Sequence, residues 1–393
     1  MFHLPDNIHG PLSHYFANKE MDELYVSIGI KALAQSIIQI FIPIYLYKLG
    51  FDISTIALYY IIFFTSITFF MHFSMRLNYH LGLKKVLSLG TFILIGYYFL
   101  LDQLSKGNIH YSVVAITLGL SMAIYYSSFH IYFTKFSDKK HEASEISIIR
   151  ALFKFAAIIG PLIGAFLITK GSFRSSFIVV AGLLFISIFP LFLTKDKKIN
   201  NPKISMKGIL KADNKKKGLA YIASGIIGVA AGILWPLFIY LNIEKVITLG
   251  FIISMGSLIT IFFLFLIGKI ADKHKGKLLN VGVYSHAITW PIRLFFLNPV
   301  GIFIMNMFSS ITLLMIDLPF SKITYEKGRK SKNIANYFLF REMNLQIGRI
   351  TILLIAFFTG SIYWTFILSF FATFLYLVLL RDKKDFPLLS LLP

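Results

Sequence analysis

Gly268-Lys269-Ile270-Ala271-Asp272-Lys273-His274-Lys275-Gly276-Lys277 separates two strongly apolar stretches of this chain. Its four lysines hold the segment in water. Gly268 permits close approach of a neighbouring backbone, and Gly276 permits a tight turn. Asp272 stands where a carboxylate can accept hydrogen bonds from the N-terminus of an adjacent helix. The segment therefore reads as a short basic loop joining two apolar helices.

Outward from this loop the pattern recurs. Twelve apolar stretches, each about long enough to cross a bilayer as a helix, lie at 24–47, 54–75, 84–104, 110–134, 146–168, 174–193, 218–241, 246–268, 277–297, 300–323, 334–358 and 363–380. Every second gap is basic. The gaps on one side hold 28 of the 39 lysines and arginines, and the opposite gaps hold 5, namely Lys48, Lys106, Lys170, Arg174 and Lys245. Basic loops stay in the cytoplasm, so both termini are expected inside. The expected class is an all-α integral membrane protein of twelve helices.

Composition agrees. The 393 residues are 56% hydrophobic and only 15% charged, against the usual quarter in soluble proteins. The net charge of +21 is spread over short loops, which suits an anionic lipid surface and excludes a nucleic-acid partner. With no cysteine, disulfides and thiolate metal sites are excluded, and neither cofactor nor metal is expected. Residues 1–20, with Pro5, Pro11 and three histidines, lack the basic-then-apolar order of a cleaved leader.

The chain divides into a segment 1–20, a six-helix half 21–194, a basic linker 195–217, a second half 218–381 and a tail 382–393. The halves repeat at an offset of roughly 190 residues, as parallel repeats do in transporters. Ile42-Pro43-Ile44-Tyr45-Leu46-Tyr47 corresponds to Trp235-Pro236-Leu237-Phe238-Ile239-Tyr240, His130-Ile131-Tyr132-Phe133 to Asp317-Leu318-Pro319-Phe320, and Arg150 to Arg341.

The loop at 268–277 resembles the Gly-x-x-x-Asp-Arg/Lys-x-Gly-Arg/Lys loop of the major facilitator superfamily, with Gly268, Asp272, Lys273, Gly276 and Lys277 supplying its residue types. The equivalent loop between spans 2 and 3 has Ser74 and Asn78 in place of the glycine and aspartate, so the charged latch to span 11 that the resemblance implies is either kept in altered form or lost. The resemblance covers the whole chain. It implies two halves rocking around a central cavity lined by spans 1, 4, 7 and 10, and a gating role for Gly268, Asp272 and Gly276. Gly160-Pro161-Leu162-Ile163-Gly164 in span 5 is similar to part of an exporter motif. Span 4 lacks the arginine that many proton-coupled exporters carry there.

Ionisable groups inside a membrane are costly and mark pathways. Here they are Lys31, Arg150, Lys154, Arg293, Arg341 and Arg349, with the acids Asp317 and Glu342 and the histidines His130 and His286. Ser27, Lys31, Gln35 and Gln39 recur every four residues and form one helical stripe, facing a small stripe of Ser224, Gly228 and Gly232. Lys31 either faces the cavity or snorkels. Asp317, near Pro319, is a coupling group for a proton or cation, or a structural partner of Lys322. By the repeat, His130 faces it across the cavity, as a relay or a packing residue.

Glu342, Gln346 and Arg349 share one face of span 11. Arg349 pairs with Glu342 or with a substrate anion, and Glu342 is a second coupling candidate. Arg150, Lys154 and Arg341 suit a gate. Trp235-Pro236 and Trp290-Pro291 read as kinks or interface aromatics, Trp235 being also placed to touch a solute. Arg293 is expected to snorkel at the outer end of span 9. Together these residues suggest a monomeric transporter in the plasma membrane (the inner membrane in a bacterium), moving a small polar or anionic solute and coupled to a proton or cation. A multidrug or metabolite exporter, or a nontransporting sensor, are the alternatives. No catalytic cluster supports an enzyme.

Overall fold

The computed structural model describes residues 19–136, 142–196, 205–213 and 215–381. Helices α1 (Lys19–Lys48), α2 (Ile53–Leu81), α3 (Leu83–Ser105), α4 (Tyr111–Phe133), α5 (Ile148–Lys170), α6 (Phe173–Phe192) and α7 (Lys217–Ile243) are long and apolar enough to cross a membrane. Then follow α8 (Val246–Ile292), α9 (Pro299–Lys330), α10 (Ile334–Thr359) and α11 (Tyr363–Leu380). Among the described residues, eleven spans meet that criterion, α8 through its first part, Val246–Leu264. The expected ninth span is the second arm of α8, which bends at His274 (φ −135°, ψ 43°). That arm carries Asn280, His286 and two lysines, so it is less apolar than its neighbours. Helices suit this environment because each satisfies its own backbone hydrogen bonds away from water.

Proline shapes α1 and α7 alike. Pro43 and Pro236 lack the N–H that would continue an α-helical ladder. A 3₁₀ turn at Gln39–Phe41 precedes Pro43, and a π turn at Ala230–Leu234 precedes Pro236. The repeat seen in the sequence thus carries a matched irregularity, in two different forms.

Among the first six helices, packing is strongest between α1 and both α5 and α6 and between α4 and both α2 and α3; among the rest, it is strongest between α7 and α10 and between α8 and α9. Between the first six helices and the rest, α2 packs on α10 and α5 on α8. Glycines set these approaches, as in membrane helix pairs generally. A Cβ on Gly225 of α7 would overlap the Leu345 carbonyl of α10, and one on Gly348 of α10 would overlap the Ile222 carbonyl of α7. In α5, Gly160 and Gly164 lie against Ser36 and Ile37 of α1, while the Pro161 carbonyl lies against Gly250 of α8. The Gly-Pro motif is accounted for by this close packing. The outer surface is studded with apolar side chains such as Phe166, Phe262 and Phe358, which are 60%, 70% and 78% exposed, a surface suited to lipid.

The two loops singled out by the repeat behave differently. Between α2 and α3 the turn is made by Gly82 (φ 96°). The Asp196 carboxylate accepts the N–H groups of Lys84 and Lys85 there, at 3.1 Å each. Lys84 Nζ donates to Glu23 Oε2 at 2.5 Å, with both side chains buried. Asn78 donates to the Ser74 carbonyl and to Ser127 of α4, at 3.2 and 3.3 Å. In the other loop the expected turn at Gly276 is absent, since Gly276 is helical and the break is at His274. Two residues, His274 and Lys275, stand there where the superfamily loop has one. Gly268 has nothing within 4 Å of a built Cβ, so it makes no close approach. The Asp272 side chain lies outside the described residues.

The two sets of helices meet at both ends. Opposite the basic loops, Lys48 Nζ sits 5.7 Å from the centroid of the Tyr240 ring, and Ser54 of α2 donates to the Phe357 carbonyl of α10 at 2.9 Å. Toward the basic end, His130 of α4 stacks on Phe338 of α10 with centroids 4.7 Å apart, and Phe133 meets Tyr325 of α9 edge-on at 6.0 Å.

Candidate functional site

Between these contacts lies a cavity of about 480 Å³, within the usual range for small-molecule sites. Gln35 and Gln39 of α1, His130 of α4, Gly228 and Gly232 of α7, and Arg341, Glu342, Gln346 and Arg349 of α10 border it. A Cβ built on Gly228 or Gly232 meets nothing within 4 Å, so these glycines open room instead of joining helices. The cavity draws on α1, α4 and α7 as expected, on α9 only through Tyr325, and also on α2, α3, α5 and α10.

The charged centre is on α10. Its face is fixed by the Gly225 and Gly348 contacts with α7, which turn Glu342, Gln346 and Arg349 toward the cavity. Arg341 Nη1 hydrogen-bonds Glu342 Oε1. Arg349 Nη1 is 3.9 Å from Glu342 Oε2, and His130 Nε2 is 4.0 Å from Oε1. One carboxylate thus stands among two guanidinium groups and an imidazole. The Arg349 side chain is 27% exposed, with its Cζ 5.1 Å from the centroid of the Phe64 ring.

Other predicted residues fall elsewhere. Ser27 turns away from the cavity and donates to the Ser187 carbonyl of α6 at 2.7 Å. Lys31 neither snorkels nor borders the main cavity. It is buried with Nζ 2.9 Å from the Tyr125 ring centroid, in a recess that shares Gln35, Tyr126, Phe129 and Phe153 with the main space. Trp235 does not border the cavity, since it is buried and donates Nε1 to Asn306 Oδ1 at 3.0 Å. Asp317 does not border it either, so the facing of His130 and Asp317 across one space is not what the fold makes. The charges acting on Asp317 are those of Arg150 and Lys154 of α5. Arg150 and Arg341 together border a smaller adjoining cavity of about 220 Å³.

Arg293 corrects another expectation. It is 1% exposed, with Cζ 4.3 Å from the Trp235 ring and 4.0 Å from the Trp290 ring, and its Nη2 donates to Ser309. Indole faces attract a guanidinium, which holds the side chain inward. The sequence also gave no sign that Tyr60, Phe63, Phe64, Tyr97 and Tyr98 would border the cavity. Aromatic residues set among apolar neighbours carry no mark distinguishing the cavity from lipid.

The profile of the Major Facilitator Superfamily matches residues 24–329. The chain belongs to that superfamily. Its fold matches the crystal structure of the nucleoside transporter NupG with a TM-score of 0.66 at 12% identity, covering 92% of this chain and 99% of that one. A POT family transporter in complex with 5-aminolevulinic acid matches with a TM-score of 0.68 at 12% identity, covering 93% and 96%. An auto-inhibited POT family peptide transporter matches with a TM-score of 0.66 at 10% identity, covering 92% and 97%. No curated protein matches the sequence. The chain is thus a multi-pass membrane protein with the superfamily's transporter fold, and the cavity lies between the two sets of helices of that fold.

Proposed function

We propose that this protein is an alternating-access secondary transporter that carries a small anionic solute and couples its passage to a proton. The observation that carries this reading is Arg349, a partly exposed guanidinium at the cavity wall whose carboxylate partner Glu342 is held more closely by Arg341. An anion entering the cavity competes with Glu342 for Arg349. A proton then replaces Arg349 as the partner of Glu342, with His130 at 4.0 Å as its relay. Loading the solute and loading the proton thereby become one event. Asp317, lying off the cavity, is assigned to the contact with α5.

The test is uptake into proteoliposomes under an imposed pH gradient. Wild-type uptake of a small carboxylate should rise with the gradient. Glu342→Gln should still exchange the anion while ignoring the gradient, and Asp317→Asn should keep the gradient response. The reverse outcome for the two variants would move coupling to Asp317. Absence of both binding and flux in the wild type, across a panel of anions, would leave a nontransporting membrane protein.

The same reading includes twelve spans in two halves, 21–194 and 218–381, joined by the linker 195–217, with both termini in the cytoplasm of a monomer in the plasma membrane. Because the chain has no cysteine, single cysteines report sidedness directly. Asn108→Cys, in an exposed loop, should react with an impermeant maleimide in intact cells. Lys211→Cys, exposed in the linker, should react only after permeabilisation. Labelling in the opposite sense would overturn the orientation.

A further inference from the structure

Gln346 is 2% exposed and borders the cavity, yet neither its amide nitrogen nor its amide oxygen has a hydrogen-bond partner. Buried amides are ordinarily satisfied, so an unpartnered one beside a cavity points to a ligand. An amide offers a donor and an acceptor together, and its complement is a group with the same pair in reverse, such as a lactam or amide edge. Gln346 lies three residues from Arg349 on one helical face, an axial rise of about 4.5 Å. That interval suits an edge and an anionic substituent on opposite sides of one six-membered ring. Aromatic faces are available for such a ring. The cavity-lining Tyr126 and Phe153 are 37% and 44% exposed.

We infer that the transported anion is a planar ring with a donor–acceptor edge, its charge held by Arg349, its edge read by Gln346 and its face laid against Tyr126 and Phe153. This inference rests on the anion-transport reading above and narrows it to a substrate class. Gln346 becomes the residue that decides specificity, since a site built to hydrogen-bond an edge discriminates strongly against an analogue lacking it.

Four probes separate the requirements: orotate (planar, anionic, with the edge), benzoate (planar and anionic), uracil (planar with the edge) and succinate (anionic and flexible). Binding is measured on the purified full-length protein in lipid nanodiscs. Orotate should bind at least about tenfold more tightly than benzoate or uracil, and succinate should bind weakly. Gln346→Leu should bring orotate down to the level of benzoate while leaving benzoate unchanged. Gln346→Met, closer in shape, should do the same, and serves if the leucine variant does not fold. Equal binding of orotate and benzoate, or a preference that survives both substitutions, overturns the inference. If succinate binds best, the ring requirement fails while anion transport stands. If uracil binds and no anion does, both readings fail.

Discussion

Arg349→Gln should lower uptake of the transported anion by about 30-fold or more while leaving the protein folded. Losing one member of a desolvated charge pair costs about 2–5 kcal/mol, and tenfold in affinity corresponds to about 1.4 kcal/mol. The fold should survive because Glu342 keeps its hydrogen bond to Arg341, and because the Arg349 side chain is already partly exposed to the cavity. Arg349→Lys should recover only part of the activity. It restores the charge without the planar fork that grips a carboxylate with two parallel bonds. Uptake should be compared among wild type and both variants at matched protein density, with melting temperatures recorded in the same detergent. Wild-type uptake by the glutamine variant would remove Arg349 from the substrate path and leave Arg341 as the anion contact.

The second large effect concerns assembly. Gly348→Ala should lower the melting temperature sharply, and Gly348→Leu should give little monodisperse protein. A Cβ at Gly348 meets the Ile222 carbonyl, and one at Gly225 meets the Leu345 carbonyl. These neighbours are backbone and cannot rotate aside. Overpacking of this kind costs about 1–3 kcal/mol for a methyl group, and the cost grows when two long helices must separate. Separation would also turn Gln346 and Arg349 out of register with the cavity. Gly228→Ala is the control. It lies in the same helix as Gly225, but a Cβ there meets nothing within 4 Å, and alanine is the better helix former by about 1 kcal/mol. Its melting temperature should equal or exceed that of the wild type. Equal melting of Gly348→Ala and wild type would show that α7 and α10 do not pack through these glycines.

Much of the fold was legible because its causes are local. An apolar run of about 20 residues must become a helix in lipid, and the basic gaps mark alternate loops without reference to any partner. Where locality weakened, so did the reading. The second arm of α8 carries enough polar residues to blur its span, and the loop bend fell on His274 instead of Gly276.

The site was legible where polar residues interrupt an apolar helix at helical spacing. The stripe of Glu342, Gln346 and Arg349 is such a case, as is the pair Gln35 and Gln39, all of which reach the cavity. Lys31 shares the spacing of the glutamines, yet the Tyr125 ring draws it into a recess. Asp317 stands out as an embedded carboxylate and is set opposite His130 by the repeat, Trp235 stands out as an aromatic beside a proline, and neither reading fixes the rotation of a helix. The aromatic wall of α2 and α3 was invisible, because aromatic residues set among apolar ones do not say which face meets solute and which meets lipid.

The sequence by itself determined that this chain is a bundle of membrane helices, where its loops lie, and which few polar groups the membrane must accommodate. Those properties follow from hydrophobicity and charge read one segment at a time. Only the tertiary structure decided which of those groups share a cavity. That outcome depends on how each helix is turned about its axis, and the turn is set by contacts between distant residues, such as Gly348 against the Ile222 carbonyl and Arg293 between two indoles.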